Sequence, residues 1–317
     1  MTQPRVVIGI DFGGTKTAVA VCDQDGARLA GAVLDSAGSR GARVSFDRAV
    51  QGVYALLAET VPGADVVAVG VSSFGIPFED RVELAPAIPG WSQLPLGAEL
   101  RAAFPGAFVT MATDTKAAGE AEARWGSLAG CDPAVYINLG TGLAAAIVTG
   151  GRVLAGRNGA AGEIGYSLRT RLDVGLPGAE RVVLEDVVSG AGLQRSASAP
   201  GRKVTAAEVF ARAAAGDARL AVLVTEFVDE LAFHVANIAI AVDPARIAIG
   251  GGLTRSWDLL RPRIAEALRA GVPYPPELTV ADFPDEAALL GAVALAVDAG
   301  AGHAGTRLPA GWRCELR

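Results

Sequence analysis

The stretch Ile10-Asp11-Phe12-Gly13-Gly14-Thr15-Lys16-Thr17-Ala18-Val19-Ala20-Val21 decides how the chain is read, because a second stretch repeats its pattern. That second stretch is Ile137-Asn138-Leu139-Gly140-Thr141-Gly142-Leu143-Ala144-Ala145-Ala146-Ile147-Val148. Each is an apolar run, a Gly/Thr turn and another apolar run, which reads as a hairpin. Each is followed by a further turn and a third apolar segment, at 27–30 and at 152–154. Two similar α/β halves follow from this, each opening on a hairpin whose loop faces the other half. Small loops rich in exposed amides suit a polyphosphate. Ordinary turns are also Gly-rich, but here both turns combine Gly with Thr and the first adds Lys16.

Outward from the hairpins the pattern continues. Residues 5–10 and 17–22 are β-branched runs, Asp23 to Gly26 supply a turn, and 28–34 is a third strand. Residues 46–59 carry Val50, Val53, Leu56 and Leu57 at helical spacing. Residues 66–72 read as a buried strand. A stretch holding Pro77, Pro86, Pro89 and Pro95 predicts a winding loop without helices. Residues 109–111 read as a short strand, and 114–125 as a helix opened by Thr113 or Asp114. Thr205 and Glu208 form a capping box. The long helix after it carries Leu220, Leu223, Val224, Phe227, Leu231, Val235 and Ile238 on one face. Residues 246–249 are a strand running into Gly250-Gly251-Gly252, and helices at 257–270 and 286–296 close the chain.

Composition excludes several chemistries. The 317 residues are 51% hydrophobic and 20% charged, which suits a large core in roughly two domains. Two His (His234, His303) and three scattered Cys (Cys22, Cys131, Cys314) leave no supply for a His-based triad, a three-His metal site, a zinc finger or a CxxC pair. A net charge of −6 offers no basic stripe for nucleic acid. No apolar run approaches the roughly 20 residues of a membrane span. The first apolar run meets Asp11 too soon for a signal peptide, and the few Cys make a reducing cytoplasm the default. The chemistry must rest on carboxylates, Lys, hydroxyls and backbone amides.

Two tempting matches fail on context. Gly9 to Gly14 has the spacing of a P-loop, but Thr15 precedes Lys16 and a strand follows where that mechanism needs a helix N-terminus. Gly140-x-Gly142-x-x-Ala145 fits a dinucleotide fingerprint, with Glu163 downstream, and again a strand follows. Asp11, ending a buried strand beside the first turn, can hold Mg2+ directly or through water while Thr15 and Lys16 address phosphate oxygens. Its plain alternative is a turn-forming Asp. Asp114, where a strand hands over to a helix, can accept a substrate hydroxyl's proton as that oxygen attacks the γ-phosphorus, or can simply cap the helix. In the stretch Asn158-Gly159-Ala160-Ala161-Gly162-Glu163-Ile164-Gly165-Tyr166 one acid is flanked by residues too small to hide it, and Glu185 interrupts the apolar run 182–188. Both suit sugar hydroxyls, with plain surface exposure as the alternative. Trp91, after Pro89-Gly90, is either a stacking platform or core.

Taken together, Asp11-x-Gly13-Gly14-Thr15-Lys16, Leu139-Gly140-Thr141-Gly142, residues 158–165 and Gly250-Gly251-Gly252 resemble the ROK (repressor, open reading frame, kinase) family of bacterial sugar kinases. Pro89-Gly90-Trp91 and Leu184-Glu185 also fit, and the motifs run in family order from about Val7 to Ala296. The resemblance implies an α/β, actin-like ATPase (ribonuclease-H-like) fold of two domains with a cleft between them. The smaller, N-terminal domain is expected at 1–113, joined by a C-terminal segment at about 297–317, and the larger at 114–296. It further implies a cytoplasmic homodimer that transfers a phosphoryl group from ATP, with Mg2+ near Asp11, to a hexose 6-hydroxyl. Family repressors carry an N-terminal helix-turn-helix, whereas this chain opens on the kinase hairpin, so no nucleic-acid partner is expected.

Carried over residue by residue, Asp114 resembles the family's catalytic base. Asp11, Gly13, Gly14, Thr15, Lys16, Gly140, Thr141, Gly142, Gly250, Gly251 and Gly252 match its ATP-binding positions. Ser73, Gly75, Thr113, Asn158, Glu163, Tyr166 and Glu185 match its sugar-binding ones, the Ser73-Phe74-Gly75 loop in a fructokinase-like form. Three departures stand out. Thr113 replaces the usual Asn before the base, Tyr166 replaces a sugar-binding His that in many members also binds zinc, and residues 167–180 hold no Cys where a zinc loop is usual. Structural zinc is therefore not expected. Loss of both Asn and His points away from plain glucose toward an amino-hexose changed at carbon 3, such as kanosamine, with glucose, a cyclitol, fructose or mannose as alternatives. The competing classes are a non-catalytic sugar sensor and a chaperone-type ATPase.

Overall fold

The structure of the protein, a computed structural model, describes residues 3–85, 87–177, 180–199 and 203–300. Pro86, His303, Cys314 and the last part of the segment expected to join the first domain lie outside the described residues. The chain divides into two compact units, one of Met1–Gly126, Ala155–Ala160 and Glu286–Arg317, the other of Ser127–Leu154 and Ala161–Asp285.

In chain order the first unit holds β1 (Arg5–Phe12), β2 (Lys16–Cys22), β3 (Arg28–Asp35), α1 (Ala42–Thr60) and β4 (Asp65–Ser73). A short hairpin of β5 (Ile76–Pro77) and β6 (Val82–Glu83) precedes α2 (Leu96–Ala103), β7 (Phe108–Thr113) and α3 (Asp114–Trp125). The second unit holds β8 (Ala134–Leu139), β9 (Leu143–Thr149), β10 (Arg152–Val153), α4 (Leu184–Val187), α5 (Gly190–Ala197), α6 (Ala206–Ala214), α7 (Ala218–Val242), β11 (Arg246–Gly250), α8 (Trp257–Gly271) and β12 (Glu277–Val280). The last helix, α9 (Ala287–Gly300), returns to the first unit.

The two sheets have one plan. The first runs β3-β2-β1-β4-β7 and the second β10-β9-β8-β11-β12. In each, the three leading strands are antiparallel hairpins, and the next two lie parallel to the first of them. The sequence repeat is thus a repeat of topology. β1 is buried along almost its whole length, as a central strand with helices on both faces should be. The edge strand β3 alternates half-buried and exposed residues, because only its α1 side is covered.

Helix boundaries follow local chemistry. Thr205 and Glu208 bond reciprocally and start α6. Asp217 accepts from Leu220 N to start α7, and the buried residues Leu220, Val224, Phe227, Leu231 and Val235 of α7 join the second unit's core. No α-helix lies among the described residues of the proline-rich stretch, and α2 begins directly after it. Pro95 occupies the N-cap of α2, outside the turns where a missing N–H breaks the ladder. Trp91 belongs to the core: fully buried, its ring lies 5.1 Å from Phe12 and 4.9 Å from Phe74.

The first compact unit runs past residue 113 because α3 packs on α9, β4 and β7. For the same reason it resumes at Glu286. Those packings need glycine. A Cβ on Gly70 of β4 would collide with the Ala292 carbonyl, and one on Gly291 with the Ala117 carbonyl. Gly70→Ala should therefore cost about 3 kcal/mol or more, lowering Tm by at least about 6 °C. Gly271→Ala, at the end of α8 where the new methyl meets nothing within 4 Å, should leave Tm unchanged or raise it slightly in the same calorimetric scan.

Candidate active site

In the first unit the candidate residues cluster at the carboxyl ends of three parallel strands. Asp11 pairs in register with Ser72, and Phe12 with Ser73, which in turn faces Thr113. Such strand ends are where open α/β sheets bind ligands. Ser72 Oγ donates to Asp11 Oδ1 at 2.7 Å. The adjoining turn closes through Gly13 N to Lys16 O at 2.9 Å, and a Cβ on Gly13 would stand 2.7 Å from that carbonyl oxygen. Ser36 ties down the rest: its N–H donates to Thr15 O and its hydroxyl to Gly14 O, both at 3.0 Å. Gly14, Thr15 and Lys16 remain exposed.

Thr113, not Asp114, caps α3, accepting from Lys116 N at 3.3 Å. Asp114 is therefore the first residue of the helix, and its Oδ1 accepts from Thr115 N at 2.6 Å and from Thr115 Oγ1 at 3.2 Å. Burial pushes the Asp114 carboxyl above the usual carboxylate range, against the opposing pull of those Thr115 bonds and the Lys116 charge. Burial also raises Asp11, to about 6, with the Ser72 bond opposing and the Asp114 charge adding to it. Asp11 thus senses the charge of Asp114. Ser73, fully buried, accepts from Trp91 Nε1 at 3.2 Å and donates to Phe74 O at 2.9 Å. Gly75 needs its positive φ of 75°, and Asn158 is exposed.

In the second unit the β8–β11 pairing brings two glycine turns together. Gly250 pairs with Asn138, and a Cβ on Gly251 (φ 88°) would stand 2.6 Å from both Asn138 Oδ1 and Leu139 O. Gly252 begins the single 3-10 turn that follows. The 140–142 turn closes through Gly140 N to Gly142 O at 3.1 Å. Its Gly140 and Thr141 carbonyls accept from Gly190 N and Ala191 N, at the start of α5, so what the turn has left to offer an anion is N–H. Glu163 precedes the 3-10 turn Ile164–Tyr166. Tyr166 is 46% exposed, and its phenol is raised by burial and then by the charges of Glu185, Glu163 and Asp186. Glu185, exposed on α4, accepts from Leu143 N at 2.7 Å.

Two residues here escaped sequence reading, Ser72 as the partner of Asp11 and Asn138 beside both glycine turns. Each stands at a strand end next to a residue already singled out, a signal that only register turns into a contact. Among the described residues, no group of three or more His, Cys, Asp or Glu side chains could hold a metal. Mg2+ needs no such cage, since it keeps waters and shares one or two carboxylates with substrate phosphates. A carboxylate at Asp11, at the end of β1 beside the exposed 14–16 turn, fits that habit.

Two α/β units, each a five-stranded sheet of hairpins followed by parallel strands, define an actin-like, ribonuclease-H-like ATPase fold. The chain belongs to the ROK family, whose family model matches residues 7–299. It is 31% identical over 296 residues to the kanosamine kinase of Amycolatopsis mediterranei, covering 91% of this chain and 95% of that one. To the glucokinase of Thermotoga maritima it is 27% identical over 312 residues, covering 91% and 96%. Among solved structures it resembles a ROK-family glucokinase from Streptomyces griseus in complex with glucose and AMPPNP. The TM-score is 0.69 with 28% identity, covering 92% of this chain and 99% of that one.

The raised Asp11 carboxyl makes a pH prediction. Between its ordinary value of 3.8 and about 6 the folded chain holds a proton that the unfolded chain has lost, so stability falls as pH rises through that window. At neutral pH the penalty is up to about 3 kcal/mol. Asp11→Asn removes it. Its Tm advantage over wild type, scanned without nucleotide or Mg2+, should be near zero at pH 4, grow to about pH 6.5 and then level off. A flat difference across that range would contradict the burial of this carboxylate.

Proposed function

We infer that this chain transfers the γ-phosphoryl group of ATP to the 6-hydroxyl of a hexose or amino-hexose. It is a sugar kinase of its family, a phosphotransferase with an alcohol group as acceptor. The observation that carries the reading is Asp114, a carboxylate at the first turn of α3 whose proton affinity is raised by burial. A base of that kind takes a hydroxyl proton more readily than an exposed Asp. Bound at Asp11, Mg2+ would neutralise charge on the phosphate oxygens. Lys16 and the amides of Gly14, Thr15, Thr141 and Gly142 would do the same for the transferred phosphoryl group. Gly250, Gly251 and Gly252 would receive the adenosine side.

On the acceptor side, Glu163, Glu185 and Asp114 present carboxylates to hydroxyl donors, and Asn158 and Tyr166 add polar groups. Thr113 is shorter than Asn, and its hydroxyl already serves the α3 cap. That supports an acceptor altered at carbon 3, in line with the name of the Amycolatopsis relative. Ser73 stands behind the acceptor loop, its hydroxyl engaged with Trp91, and so shapes the loop that Gly75 turns.

The test is Asp114→Asn. With the Thr115 bonds retained by the amide oxygen, folding and sugar binding should persist while kcat/KM falls by about 10²–10⁴. Sugar phosphorylation near the wild-type rate in a folded Asp114→Asn variant would show that the base lies elsewhere.

A further inference from the structure

One short stretch of chain holds the 140–142 turn from outside its hairpin. Gly190 N and Ala191 N donate to Gly140 O and Thr141 O at 2.8 and 3.1 Å. A few residues earlier, Glu185 Oε2 accepts from Leu143 N, the amide that follows the turn, at 2.7 Å. Glu185 is closely fitted on both sides. A Cβ on Gly142 would stand 2.5 Å from its Oε2, and one on Gly165 would stand 3.1 Å from its Cβ. The side chain therefore lies against the phosphate turn on one side and against the 164–166 turn, which carries Tyr166, on the other. Among the charges reaching the Tyr166 phenol, that of Glu185 is the largest. Binding a sugar hydroxyl requires none of these backbone contacts.

We propose that Glu185 is a positioning residue for the 140–142 phosphate turn and couples acceptor binding to nucleotide affinity. The proposal rests on the kinase reading above and gives a second role to a residue assigned there to the sugar. An oxygen accepting from Leu143 N–H fixes where β9 begins and so where Gly142 sits. An acceptor hydroxyl on the same carboxylate acts on the group that holds the turn. Whatever factor the sugar adds to nucleotide affinity, the nucleotide must add to sugar affinity.

Two substitutions separate this role from sugar binding. Glu185→Met keeps the side-chain length and loses the acceptor, while Glu185→Gln keeps an oxygen for Leu143 N–H and loses the charge. Calorimetric titration of the full chain with AMPPNP and Mg2+, with no sugar present, reads the turn alone. Glu185→Met should weaken AMPPNP about five-fold or more, and Glu185→Gln should stay within about two-fold of wild type. Glu185→Ala, which also frees the contacts with Gly142 and Gly165, is the second acceptor-less variant and is held to the same loss. Wild-type AMPPNP affinity in a folded Glu185→Met or Glu185→Ala variant overturns the proposal and leaves the kinase reading standing. A wild-type chain that binds no AMPPNP overturns both.

Discussion

Backbone packed directly on backbone at α9 is the constraint on which the first unit's site depends. Gly70 lets β4 approach α9 at Ala292, Gly9 faces Val293 from β1, and Gly291 lets α9 approach α3 at Ala117. Arg124, bonded to both oxygens of Asp298 at 2.9 and 2.6 Å, ties the far end of α3 to the same helix. Asp11 closes β1 and Asp114 opens α3, so the separation of the two acids is set by how closely these elements pack. A methyl group in that seam moves α3 and Asp114 with it. Close packing leaves no slack to absorb the change.

The duplicated hairpin is used differently in the two units. Asp11 of the first corresponds to Asn138 of the second, and Lys16 of the first to Leu143. Charge is thus concentrated in one hairpin, while the other offers amides and a neutral side chain. A carboxylate beside one turn invites a cation, and a turn without one is suited to donate N–H groups to an anion. Buried acids without a cation are costly to ionise, and Asp11 and Asp114 both show it in their raised proton affinity. That cost is what a cation and a hydroxyl donor would relieve.

Much of this was legible in the sequence because it is local. The hairpin pair, the α3 start at Thr113–Asp114 and the Thr205–Glu208 capping box depend on residues a few positions apart. The family motifs confined the remaining strands to one topology. What stayed hidden is non-local or context-bound. Ser72 meets Asp11 across 61 residues, and only the register of β4 on β1 brings them together. Glu185 reads as a charge interrupting an apolar run, but its partner is the backbone of a hairpin 42 residues away. The helix α2 was masked by Pro95, which marks a loop in composition yet sits harmlessly at a helix start. Trp91, open to two readings, is core because Phe12, Phe74 and Ser73 surround it.

A sugar kinase must direct its phosphoryl group to a sugar hydroxyl rather than to water. Phosphorus NMR of the products, with ADP measured in parallel across glucose, mannose, fructose and a 3-amino-hexose, tests it most directly. One ADP should form for each sugar 6-phosphate, none without sugar, and kcat/KM should be highest for the amino-hexose. ADP release that ignores the sugar and yields inorganic phosphate would contradict it.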